Sequence, residues 1–146
     1  LAEPAMGRIT VHIHGPAKER AYGEMVKIYG DRLKSRGINL LFHKSKKSVD
    51  AYFTEINKSG LLFLLDESGV EHTSTEFSNL VREWTVSDKD VNLAIGPVDG
   101  WGEYKRTADL IALSKMTFPH ELAAVMLVEQ VYRATEIIKG TNYHRV

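Results

Sequence analysis

Leu61-Leu62-Phe63-Leu64-Leu65 constrains the fold more than any other segment of the 146-residue chain. This unbroken apolar run, set between Gly60 and Asp66, is too short for a buried helix. It also lacks the alternation of a half-exposed strand. It reads as a strand covered on both faces, the pattern of a parallel sheet with helices above and below. Four further strands are predicted. Ile9, Val11 and Ile13 alternate with polar residues over 8–14, and Gly15-Pro16 ends that stretch. The segments 38–43, 91–95 and 110–113 supply the others.

Helical periodicity fills the intervals between them. Tyr22, Met25, Val26, Tyr29 and Leu33 recur at spacings that place them on one stripe, with Gly37 where a C-terminal cap belongs. Gly23 and Gly30 lie within this helix. Each costs about 1 kcal/mol relative to alanine, so each is expected to admit a neighbouring element. A helix over 48–57 carries Val49, Tyr52, Phe53 and Ile56. Thr73 and Glu76 have capping-box spacing ahead of a stripe of Phe77, Leu80, Val81 and Trp84. A short helix is predicted over 103–108 and a long one over 121–139, with His120 at its start. Strands alternating with helices imply an α/β fold built on a mainly parallel sheet. Residues 1–7 read as a leader or tag-like end and 8–146 as one domain.

Composition excludes some chemistry. There is no cysteine, so thiolate metal sites, disulfides and cysteine nucleophiles are all out. No apolar run approaches the roughly 18 residues of a membrane span, and no membrane partner is expected. Lys and Arg number 19, as do Asp and Glu. An RNA partner would therefore need the cations gathered on one face. Candidates are His43-Lys44-Ser45-Lys46-Lys47 and the group Arg32, Lys34 and Arg36, either of which equally reads as solvated charge.

In an open α/β sheet, ligands bind beyond the carboxyl ends of the strands. Segments 65–69, 96–102 and 114–119 occupy such positions. Gly96-Pro97-Val98-Asp99-Gly100 is a turn sequence as much as a ligand loop, and it is neither a phosphate loop nor a dinucleotide fingerprint. His12 and His14 share a strand face; without a third ligand they read as a polar face, and no metal site is assigned. His43 and His72 read as surface residues. The tail Asn142-Tyr143-His144-Arg145 is either a frayed end or a set of groups suited to RNA, which aromatic rings stack on and arginine pairs with.

Leu113-Ser114-Lys115-Met116-Thr117-Phe118-Pro119-His120, followed by Leu127-Val128-Glu129-Gln130-Val131-Tyr132-Arg133-Ala134 and by Lys139-Gly140-x-x-Tyr143-His144-Arg145, resembles the C-terminal signature of the RlmH family. Leu64-Leu65-Asp66-x-x-Gly69, Ser74-Thr75-Glu76-Phe77 and Ile95-Gly96 resemble its middle segments. The resemblance implies a SPOUT-type α/β knot, with the C-terminal segment threaded through a preceding loop. It implies S-adenosylmethionine-dependent methylation of N3 of a pseudouridine in large-subunit ribosomal RNA, free or within the ribosome, by a homodimer in the cytoplasm, or in an organellar matrix if the first residues are a processed leader. Carried over by position, Leu64, Leu65, Gly96, Gly100, Ser114, Lys115, Met116 and Phe118 would hold the methyl donor. Tyr143, His144 and Arg145 would act toward the RNA, with His144 accepting or steering the ring-nitrogen proton. Pro97 and Val98 depart from the family's glycine loop, and Ala123-Ala124 stand where a basic residue is common. A non-catalytic relative that binds ribosomal RNA or an assembly intermediate is the alternative; an unrelated flavin or nucleotide binder is the third.

Overall fold

A computed structural model describes residues 8–145, so the expected leader over 1–7 and the final residue lie outside the described part. The elements follow in the order β1 (Ile9–His14), α1 (Arg20–Lys34), β2 (Asn39–His43), α2 (Val49–Ile56), β3 (Leu61–Glu71), α3 (Ser74–Val86), β4 (Val91–Ala94), a 3₁₀ turn (Gly102–Arg106), β5 (Asp109–Ala112) and α4 (His120–Lys139). All strand pairs are parallel, and the sheet order is β2-β1-β4-β3-β5. This is the α/β architecture anticipated from the apolar run.

Local chemistry sets the helix ends. The Thr73 hydroxyl accepts from the Glu76 amide at 3.0 Å, and the Glu76 carboxylate accepts from the Thr73 amide at 2.8 Å. Ser48 caps α2 through the Ala51 amide. Gly140 closes α4 at φ 75, a conformation that strains any residue with a Cβ.

The sheet separates two cores. Ile9, Val11, Ile13, Val91, Leu93, Ile95 and Ile111 face α1, α3 and α4, meeting Val26, Leu33, Val81, Val128 and Val131. The other face is smaller and aromatic: Leu64 and Ala94 meet Tyr52, Ile56 and Trp101. His12 lies on this second side, 2.9 Å from His43 through Nδ1 and Nε2, and 2.8 Å from the Asn92 side-chain oxygen through Nε2. His43 is 5% exposed, so its reading as a surface residue is corrected. A strand-terminal histidine looks solvent-facing by position, yet α2 covers it. Asn92 donates through its amide nitrogen to the Ser59 and Leu61 carbonyls, which leaves its oxygen to accept. His12 must then donate from Nε2 and accept at Nδ1 from His43. Burial first, and each other's proximity for His43, holds both imidazoles below the usual histidine range.

β3 outruns its expected span. It pairs with β5 at Phe63, Leu64 and Leu65, bulges, and pairs again at Val70 and Glu71. Gly69 permits the return, because a Cβ there would sit 2.6 Å from the Leu110 carbonyl carbon. The bulge lifts Asp66, Glu67 and Ser68 over the strand ends. Of the two glycines in α1, Gly30 does admit a neighbour, since a Cβ would meet Leu40 at 2.8 Å, whereas Gly23 has only an ordinary contact to Ala17. Among the described residues no helix is long and apolar enough to cross a membrane.

Candidate functional site

The bulge of β3 and the carboxyl ends of β4 and β5 open together into a cleft of about 440 Å³. Three stretches wall it: 65–67 at the bulge within β3, 95–102 following β4 and 113–118 following β5. The start of α4 closes one side with His120 and Ala123. The lining mixes apolar surface from Leu65, Ile95, Leu113 and Phe118 with carboxylates at Asp66, Glu67 and Asp99. Lys105 stands 3.7 Å from Asp66. The volume falls within the roughly 300–1,000 Å³ of small-molecule sites.

Two buried aromatic side chains fix the floor. The Trp101 indole donates to the Leu65 carbonyl at 3.0 Å, and the Tyr52 hydroxyl donates to the Ile95 carbonyl at 2.8 Å. Their rings stack at 5.3 Å and 14°. The carbonyls at the bulge of β3 and just past β4 are thereby satisfied from below, and burial holds the Tyr52 phenol protonated far above neutrality. Gly96 belongs to the same packing, because a Cβ there would lie 3.0 Å from the Trp101 ring nitrogen. The turn after it closes with the Gly100 amide donating to the Pro97 carbonyl at 2.8 Å. Proline at this position removes an amide donor yet leaves the turn intact.

Six of the residues read from the sequence as donor-site candidates line the cleft: Leu65, Gly96, Gly100, Ser114, Met116 and Phe118. Leu64 does not; its side chain is buried on the α2 side of the sheet. Lys115 also lies outside the lining, largely exposed and 3.8 Å from Glu71. Asp66 and Trp101 lie within the segments read as ligand positions without being singled out there, whereas the lining residues Lys105 and His120 lie outside those segments. Trp101, a large aromatic inside a glycine turn, was the one visible signal.

The tail lies elsewhere. Tyr143 packs edge-on to Tyr132 at 5.1 Å and donates its hydroxyl to Glu129 at 2.8 Å, with the Tyr29 hydroxyl 3.3 Å away. Burial, with hydrogen bonds to Tyr29 and Glu129, raises its ionisation well above the ordinary tyrosine range. Arg133 pairs with Glu129 at 2.7 Å, lies over the Tyr143 ring at 4.9 Å and donates to His144 Nδ1 at 3.1 Å. A guanidinium is always a donor, so in this contact Nδ1 of His144 accepts and Nε2 is the ring's donor. Arg145 is exposed. Arg36 and Glu136, 2.5 Å apart, anchor the end of α4 nearby. Hydrogen bonds from Thr141 foremost, then Tyr132 and Arg36, pull Glu136 down to about 2. From the basic clusters named above, Arg36 is therefore an internal ion pair and Lys47 is paired with Glu55.

A parallel sheet with its cleft at the strand ends, floored by buried aromatics and walled by turns rather than a phosphate loop, defines an α/β protein with a cleft of small-molecule size. The chain belongs to the SPOUT methyltransferase family: the family model described as "Predicted SPOUT methyltransferase" matches residues 8–144. It is similar to the ribosomal RNA large subunit methyltransferase H of Caldicellulosiruptor bescii, 36% identical over 125 residues that cover 82% of this chain and 81% of that protein. The protein of that name from Coprothermobacter proteolyticus is 38% identical over 134 residues, 90% of this chain and 94% of the relative. The one from Anaeromyxobacter sp. is 40% identical over 101 residues, 68% of this chain and 66% of the relative. Membership of a methyltransferase family implies a methyl donor.

Proposed function

We propose that this chain is an S-adenosylmethionine-dependent methyltransferase acting on N3 of a pseudouridine in large-subunit ribosomal RNA. The observation that carries the reading is the strand-end cleft and its lining. A donor bearing a sulfonium and an ammonium needs apolar walls for its flat base and acidic groups for its charge; Leu65, Ile95, Leu113 and Phe118 supply the first, Asp66, Glu67 and Asp99 the second. Leu65, Gly96, Gly100, Ser114, Met116 and Phe118 would hold the donor, with Leu64 packed beneath them. When bound, it supplies an electrophilic methyl group.

The protein's share is then positioning, exclusion of water and management of the ring-nitrogen proton. Tyr143 and His144 fold back along α4 onto Glu129 and Arg133, which lie about 14 and 20 Å along the helix from His120 at the cleft. In this conformation the tail lies on the flank of α4 and none of its residues lines the chain's own cleft. This supports a homodimer in which the tail of one protomer serves the cleft of its partner. In that arrangement His144 meets RNA first as a donor through Nε2–H, and accepts a proton only if its Nδ1 leaves Arg133. The knot expected of the family would hold segments 96–102 and 113–119 against each other. The same reading places the protein wherever large-subunit RNA matures.

Calorimetric titration with S-adenosylmethionine, followed by labelled transfer to ribosomes lacking the modification, tests this. Saturable binding and label at a single pseudouridine are the expected outcomes. Absence of donor binding would sink the enzyme reading and leave a non-catalytic RNA-binding relative. His144→Ala should lower the rate about a hundredfold with donor affinity unchanged. Mixing it with a cleft variant should restore activity if the tail acts across the dimer.

A further inference from the structure

We propose that a small pocket beside the donor cleft, at the carboxyl end of β1, receives the target base of the RNA strand; this rests on the methylation reading above and adds where the substrate enters. The pocket holds about 190 Å³ and is walled chiefly by Ile13, Ala17, Val26, Phe42 and Ala124. That is below the roughly 300 Å³ at which drug-sized sites begin and suits one flat ring.

Three further observations select an unstacked base as its occupant. His120 lines this pocket and the cleft alike, so a ring in one adjoins a ligand in the other across a single side chain. Among the described residues the His120 ring makes no hydrogen bond, which leaves both nitrogens for a ligand. Phe42, 49% exposed, stands at the pocket's rim on the edge strand β2. A half-exposed aromatic ring beside an apolar pocket is the kind of platform on which single-stranded loops stack their splayed bases. Charge completes the footprint. Ser45 packs against Gly15 of the pocket wall, 2.9 Å from where a Gly15 Cβ would stand, and the Gly15 amide donates to the His43 carbonyl at 2.7 Å. Lys44 and Lys46 flank Ser45 at that mouth, both exposed, and neither is in an ion pair among the described residues. Lys47 next to them is neutralised by Glu55. In a chain whose charges balance, two free cations beside an apolar pocket match the phosphates on either side of a flipped nucleotide. Glu121, the one carboxylate in the pocket, is turned to the Lys18 and Glu19 backbone amides.

The test uses the full chain and a synthetic large-subunit RNA hairpin with a photoreactive thiouridine at the loop position. Irradiation should attach the RNA to peptides containing Phe42 or His120. Attachment only to other surfaces overturns the proposal. Phe42→Ala should raise the KM for RNA about tenfold with donor Kd unchanged. Lys44→Ala combined with Lys46→Ala should reduce the slope of log affinity against log salt by about 1.4. These side chains are exposed, so melting temperatures should stay near wild type. Ala17→Phe, which fills the pocket, gives a second variant that should block RNA without affecting the donor. Wild-type RNA affinity in all three variants overturns the proposal, as does their dissociation into monomers, which would assign the pocket to a second copy of the chain. A wild-type protein that binds the hairpin here but methylates nothing defeats only the reading of catalysis; an active one indifferent to all three changes defeats only the pocket.

Discussion

The two faces of the sheet are built from different chemistry. Toward α1, α3 and α4 the interior is aliphatic, with Val11, Leu33, Val81, Leu93, Val128 and Val131 all fully buried or nearly so. Toward α2 it is aromatic and hydrogen-bonded, running from the His12–His43–Asn92 chain to the Tyr52–Trp101 stack. An aliphatic interior stabilises through area and tolerates modest repacking. The aromatic one adds directional bonds that end on the Leu65 and Ile95 carbonyls, at the β3 bulge and just past β4, where the cleft begins. Stability and site geometry are thus drawn from opposite sides of one sheet.

Substitutions on each side separate these roles. Trp101→Ala removes a stacked ring and leaves the buried Leu65 carbonyl without its donor. It should cost about 4 kcal/mol in chemical denaturation and weaken donor binding at least as visibly in calorimetry. Intact donor affinity in a folded Trp101→Ala would break the distinction. Val128→Ala on the aliphatic side should cost about 2.5 kcal/mol while donor affinity holds. The third contrast uses pH. Burial and the nearness of His12 lower His43 to about 4. Below the ordinary value near 6.5 the unfolded chain therefore binds a proton that the folded one refuses. Stability is full well above pH 6.5 and falls as pH drops toward 4, by about 1.6 kcal/mol between 6.5 and 5. Urea midpoints across that window measure it, and His43→Gln should flatten the slope. A flat wild-type curve would mean the histidines are not sealed in the aromatic face.

The elements of the fold were legible because period and capping are local properties. The run 61–65 announced the parallel sheet, and Thr73 with Glu76 marked the start of α3 to the residue. Burial of His43 was not legible, since it depends on α2 folding across the end of β2. The continuation of β3 past Leu65 was hidden for a similar reason, because Asp66-Glu67-Ser68-Gly69 reads as a turn until β5 takes the chain back. At the cleft, the strand-end rule located the three wall segments but not the residues arriving from other elements. His120 and Trp101 gain their roles only when α4 and the 96–102 turn converge. Leu64 and Lys115 share the motifs of their lining neighbours, yet alternation along a strand and outward rotation in a loop send them elsewhere.

The strand order carries a consequence for how the chain reaches this state. β4 lies between β1 and β3 although it is made after both. Until residue 94 has emerged from the ribosome, β1 and β3 each present an open edge toward the vacant central position. Neither can complete its pairing before that point. The sheet therefore closes late, through contacts distant in sequence, the regime in which folding is slow and exposed edges invite association with other chains.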